Sequence, residues 1–141
     1  MILYLDTSSL VKLYVEETAS ADVESWVGSA EVTGTSLIAY AEARAAFAHR
    51  FRENAFSSKD YNRLRSRFDS DWKNFLSIHV TREIVRIAGD LAEKHGLRGF
   101  DAIHLASAVT LREKLASPVT FSCYDIRLQN ASLHEKLDHP L

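Results

Sequence analysis

The sequence predicts an α/β protein: a three-layer αβα fold around a short parallel sheet of four or five strands. Three observations carry this reading. Four short segments rich in apolar or β-branched residues, Met1–Leu5, Glu31–Thr35, Ser77–Val80 and Val119–Ser122, are separated by much longer stretches of helical periodicity. Each strand-to-strand interval is long enough for a helical crossover, which parallel pairing requires. At 46% hydrophobic and 26% charged residues, the composition is that of an ordinary globular chain with enough apolar surface for two helical layers. Its 141 residues are expected to form a single domain over 1–141, with no internal repeat, low-complexity tract or linker.

Met1-Ile2-Leu3-Tyr4-Leu5 reads as a buried strand ended by Asp6-Thr7-Ser8-Ser9, after which Leu10, Val11, Leu13 and Tyr14 begin an amphipathic run. Thr18 or Ser20 is expected to cap a helix through Val23, Trp26 and Val27 that stops near Gly28. The second strand follows. Ser36 is expected to cap an Ala-rich helix from Leu37 to about Arg52, in which Glu42 lies about two turns from the cap. Ser57 and Ser58 start a helix whose Tyr61, Leu64, Phe68, Trp72 and Phe75 recur at three- and four-residue steps, a core or interface stripe. This helix and the one before it are expected to supply apolar contact to a partner. Its basic residues Arg63, Arg65 and Arg67 read either as a solvated face or as part of an RNA-approach surface. After the third strand Thr81 caps a helix bearing Ile84, Ala88, Leu91 and His95; Gly96 and Gly99 bracket a turn; and a helix runs from Phe100 to Lys114. Pro118 then opens the fourth strand.

The acids give the chemistry. In an open parallel sheet, ligands sit beyond the carboxyl ends of the strands. Asp6 follows the first strand directly, and Asp125 follows the fourth with Cys123 and Tyr124 between. Asp101 opens a helix and Glu42 lies in one, both positioned to lean over the same edge. Carboxylates held ~5 Å apart repel by on the order of 3 kcal/mol at an effective dielectric of 20. A hard divalent cation removes that cost, and an all-oxygen donor set suits Mg²⁺ or Mn²⁺ rather than zinc. Such a site activates water and steadies charge on a phosphodiester, which is nuclease chemistry. The formal net charge of −2 supplies no general field to attract a polyanion. The single Cys123 excludes an internal disulfide and fits a reducing cytoplasm, and no segment reads as a signal peptide or membrane span.

These residues resemble PIN-domain ribonucleases of the VapC toxin type, from type II toxin–antitoxin systems. The resemblance rests on Leu5-Asp6-Thr7-Ser8-Ser9-Leu10-Val11-Lys12 and on Gly99-Phe100-Asp101-Ala102-Ile103-His104-Leu105-Ala106-Ser107-Ala108. Looser matches are Ser36 to Glu42 with Ala46, and Phe121-Ser122-Cys123-Tyr124-Asp125 with Leu128; together they run from Met1 to about Ala131. The resemblance implies that Asp6, Glu42, Asp101 and Asp125 are the catalytic, metal-binding quartet, and that Ser8 helps order it. It also implies an RNA substrate, an antitoxin of the VapB kind and homodimer formation. Two features depart from the family pattern: Cys123 stands where Thr or Ser is usual, and the tail from Leu133 lacks a short β-branched closing strand.

Other classes are weighed against this one. A haloacid-dehalogenase-like phosphatase needs a second acid two residues after its first, where this chain has Ser8. A phosphoreceiver needs an acidic pair ahead of its phosphorylated Asp, and Asp6 comes too early. A housekeeping RNA-processing PIN nuclease and a non-catalytic PIN-like binding module remain alternatives. His104, set among Ile103, Leu105 and Ala106, reads as a packed structural histidine, and Cys123 as strand-end packing.

Overall fold

The computed structural model describes residues 1–140 of the chain. Among them are four strands, β1 (Ile2–Leu5), β2 (Val32–Ser36), β3 (Leu76–Ile78) and β4 (Val119–Ser122). Seven helices accompany them: α1 (Thr7–Val11), α2 (Ser20–Ser29), α3 (Ala39–Arg52), α4 (Ser58–Trp72), α5 (Arg82–His95), α6 (Gly99–Leu115) and α7 (Ile126–His134). The sheet is wholly parallel, in the order β3-β2-β1-β4. All four carboxyl ends therefore open on one edge.

Strand β1 is central, and its side chains alternate between the two helical layers as the two-residue period requires. Leu3 and Leu5 enter a core with Leu10, Phe47, Leu64 and Phe68 from α1, α3 and α4. Tyr4 enters the opposite core with Ala88, Leu105, Leu111, Phe121 and Leu128. The small residues of α6, Ala102, Ala106 and Ala108, are fully buried and let that helix lie close against its neighbours. The aromatic stripe of α4 is spent mostly inside the chain. Leu64 and Phe68 are buried, with Tyr61, Trp72 and Phe75 packed around the same core. Arg67 stacks over Tyr14, 4.8 Å from its ring centroid, and donates to the Leu13 carbonyl, so one member of the basic run is held by the fold.

Local signals account for most helix ends. Ser57 and Thr81 cap α4 and α5, their hydroxyls accepting from Asp60 N at 3.1 Å and Ile84 N at 3.1 Å. Gly96 ends α5 at φ 66°, a left-handed conformation that costs glycine little. Other ends differ from expectation. Ala19, with φ 71°, precedes α2 and its methyl group cannot cap it, while the Ser20 hydroxyl, inside the helix, donates to Val15 O and accepts from Glu17 N. Ser36 is not the cap of α3. It belongs to β2, pairing with Ile78, and α3 starts at Ala39 so that Glu42 lies in the first turn. Helix α7 was not among the expected elements; Asp125 caps it. The tail also touches the sheet: Asp138 forms one parallel bridge with Thr120, accepting from Phe121 N at 2.8 Å and donating to Val119 O at 3.0 Å. Leu141 lies outside the described residues.

Glu135, just after α7, ties the C-terminal region to α5 through Lys94 Nζ at 2.7 Å and His95 Nε2 at 2.7 Å. Burial works to raise its pKa, but the hydrogen bonds from Lys94 and His95 outweigh that and leave it below the ordinary 4.5. A depressed carboxylate pKa contributes stability above the unfolded value and loses it as pH falls through the folded one. Glu135→Gln is therefore expected to lower the melting temperature near neutrality and to lose that deficit as the pH falls through the depressed folded pKa, read from melts across pH.

Candidate active site

The carboxyl edge of the sheet gathers the acids from four separate elements. Asp6 leaves β1 and becomes the N-cap of α1; its Oδ1 accepts from Ser9 N at 2.9 Å and Ser8 Oγ at 2.8 Å. Neither bond falls on Oδ2. The backbone around it is firm: Asp6 N donates to Ser122 O, and Ser9 Oγ reaches both Ser122 O at 2.9 Å and Ser122 Oγ at 2.8 Å, locking the ends of β1 and β4 together. Asp6 is 5% exposed, and burial raises its pKa above the ordinary 3.8, offset in part by His104 and by the bonds from Ser8 and Ser9. Ser8 thus holds one oxygen of the Asp6 carboxylate.

Glu42 is aimed by a chain of side chains. Thr7 Oγ1 donates to Glu42 Oε1 at 2.6 Å, and His104 Nε2 lies 3.2 Å from the same oxygen and 3.0 Å from Thr7 Oγ1. On the other side of the ring, His104 Nδ1 is 2.8 Å from the Tyr4 hydroxyl. Burial holds Tyr4 well above its ordinary pKa, so it stays a phenol. His104 thus bridges Tyr4 on one side of its ring to Thr7 and Glu42 on the other. Burial tends to raise the Glu42 pKa, yet the bonds from His104 and Thr7 bring it below the usual value. His104 is buried, as its apolar neighbours suggested, but it also positions a site acid. Its place one turn after Asp101 was the only sequence signal; the link to Glu42, 62 residues away, is tertiary.

Asp101 lies in the first turn of α6, and Arg98 Nε stands 3.4 Å from its Oδ2. This counter-charge was not anticipated, but the Arg98 side chain is 82% exposed and screening by water leaves the pair weak. Asp125 is exposed and caps α7, its Oδ1 accepting from Leu128 N at 3.0 Å. Cys123 makes only a long contact, 3.9 Å, to the Asp125 carbonyl and does not brace its carboxylate.

The acids adjoin rather than enclose. Glu42 and Asp101 share a cleft of about 540 Å³ with Arg98, Phe100 and Ile103. Asp101 and Asp125 share a second, of about 380 Å³, with Arg98 and Arg127. Burial, followed by the charges of Asp6, Asp125 and Asp101, pushes the Cys123 thiol far up. Among the described residues, no three acid, histidine or cysteine side chains are grouped closely enough to hold an ion as they stand. The donor chemistry nonetheless fits a hard divalent cation: oxygen ligands only, with one of them a buried carboxylate whose charge lacks a full counterpart.

A family model for the PIN domain matches residues 3–118. Ribonuclease VapC49 of Mycobacterium tuberculosis is 32% identical over 110 residues, covering 78% of this chain and 76% of the relative. The chain belongs to the VapC group of the PIN-domain family. Solved structures carry the same fold. FitAcB from Neisseria gonorrhoeae superposes with a TM-score of 0.66 at 18% identity, over 98% of this chain and 96% of that one. A toxin–antitoxin complex from Klebsiella pneumoniae gives 0.54 at 18% identity, over 85% and 84%. Against this PIN fold, the four acids fall at the carboxyl edge that open parallel sheets use for ligands.

Proposed function

We propose that residues 1–141 form one PIN domain acting as the toxin of a type II toxin–antitoxin pair, an endoribonuclease that hydrolyses RNA phosphodiesters with Mg²⁺ or Mn²⁺. The observation that carries the reading is Asp6: a carboxylate 5% exposed, anchored through one oxygen at the sheet's carboxyl edge, in a chain related to ribonucleases. Asp6, Glu42, Asp101 and Asp125 would hold the cation. When bound, the ion would supply Lewis acidity to water and compensation for charge on the phosphodiester.

The chain's own residues do the rest. Ser8 and Ser9 fix the Asp6 carboxylate, and Thr7 with His104 keeps Glu42 ionised and oriented. Asp101 and Asp125 sit at helix N-termini, where the backbone dipole favours their charge. Arg98, bordering both clefts, meets the phosphate backbone of the substrate. The toxin–antitoxin complex from Klebsiella supports an antitoxin partner; its VapB kind, a toxin homodimer and a place in the cytoplasm are what the family resemblance implies. Among the described residues no helix is long and apolar enough to cross a membrane.

Cleavage of an end-labelled RNA by the purified protein tests the reading. Activity is expected with Mg²⁺ or Mn²⁺ and is expected to disappear in EDTA, returning when the metal is restored. Undiminished cleavage in EDTA would remove the metal from the proposal.

A further inference from the structure

The two most exposed large apolar side chains among the described residues are Ile126 at 73% and Phe100 at 60%. Single exposed apolar residues are ordinary on a protein surface. Here, however, Phe100 immediately precedes Asp101, and Ile126 immediately follows Asp125. Each lines the cleft that its acid lines, and Arg98 borders both clefts. The chain thus leaves its barest apolar groups on either side of its acids, with a guanidinium at the boundary.

We propose that Phe100 is a stacking platform for an unpaired nucleobase flanking the cleaved phosphodiester. This rests on the endoribonuclease reading and extends it to one side chain that holds the substrate. A ring 60% exposed on the wall of a cleft of about 540 Å³ has space beside it for a base. In an A-form duplex each base is already stacked between its neighbours, and the deep major groove admits no side chain. Only an unpaired base can be splayed onto the ring. The Arg98 side chain, 82% exposed, keeps most of its donors free for the adjoining backbone phosphate while Nε faces Asp101. Ile126, aliphatic, offers apolar contact without stacking, so the two clefts are unequal.

The test compares wild type with Phe100→Ala, Phe100→Leu and Phe100→Tyr on one single-stranded oligoribonucleotide and its duplex. Two readouts are used: kcat/KM for cleavage with Mg²⁺, and fluorescence anisotropy of binding in EDTA. Loss of one base–aromatic stack is expected to weaken single-strand binding and kcat/KM by roughly 5- to 150-fold in the Ala and Leu variants. Phe100→Tyr should rescue both, duplex binding should be unaffected, and melting temperatures should hold because the ring is not in the core. Equal single-strand affinity for wild type and Phe100→Ala, or rescue by Leu, would overturn the proposal. So would a change of sedimentation coefficient on Phe100→Ala, which would assign the ring to a contact between copies. If wild type cleaves no RNA, the nuclease reading fails by itself. The binding arm then still decides whether Phe100 stacks on a base.

Discussion

Asp6→Asn is expected to abolish RNA cleavage while making the metal-free protein more stable. The loss should be at least about 10²–10³-fold in rate, the scale on which removal of one preorganised electrostatic contact acts. The gain in stability follows from burial. Asp6 is 5% exposed, and its pKa is raised chiefly by desolvation. Asparagine keeps an Oδ1 able to accept from Ser8 and Ser9, so the α1 cap survives. The sign with pH follows. A raised folded pKa means that the folded state binds the proton more tightly, and wild-type stability from this group falls as pH rises from 3.8 through the folded value. The variant lacks that fall, so its advantage should be largest near neutrality and shrink on acidification. Saturating Mg²⁺ should reverse the order, since a ligand at a hundred times its Kd adds about 2.7 kcal/mol to the protein that binds it. Thermal melts with and without Mg²⁺, beside cleavage assays, check all three points. A folded variant that cleaves at the wild-type rate would exclude Asp6 from the chemistry.

Phe68→Ala is expected to be the most destabilising simple truncation in the α3–α4 layer. The ring is fully buried and sits at 5.1 Å from Tyr14, 5.2 Å from Phe47, 5.4 Å from Tyr40 and 5.7 Å from Trp72, centroid to centroid. Its removal forfeits the transfer energy and leaves a cavity walled by rigid rings that cannot collapse into it. Such truncations cost about 3–5 kcal/mol. The melting temperature should fall by about 10–20 °C. Phe68→Leu should recover much of the loss by filling volume, though not the edge-to-face ring contacts with Tyr14 and Phe47, worth about 0.5–1.5 kcal/mol each. A shift of under ~3 °C for the alanine variant would mean that α4 is not held by this cluster.

Elements with a local cause were legible in the sequence. β1 and β4 are apolar runs buried on both faces, and the Ser57 and Thr81 caps follow from a hydroxyl three residues before an unpaired amide. Features decided at a distance were not. Ser36 reads as a cap until β3 arrives 42 residues later and pairs it with Ile78. β3 itself begins at Leu76 rather than Ser77, because the pairing register with Gly34 sets its start, and it ends at Ile78 although His79 and Val80 continue the alternation. The strand end and acid at Asp125 were visible, but α7 was masked by the polar residues Gln129, Asn130 and Ser132 among its apolar ones. In the site, Asp6 and Asp101 stood out because strand end and helix start are local signals. The bonds that aim Glu42 join residues from β1, α1, α3 and α6, and only the folded chain brings them together.

The most direct measurement is a crystal structure of the protein soaked in Mn²⁺, with the anomalous signal used to locate the ion. The expected result is a peak coordinated by Asp6 and Asp101, with Glu42 and Asp125 close by, and no peak in crystals of Asp6→Asn. A manganese site elsewhere on the chain, in protein that cleaves RNA, would contradict the assignment of these carboxylates as the centre that cuts it.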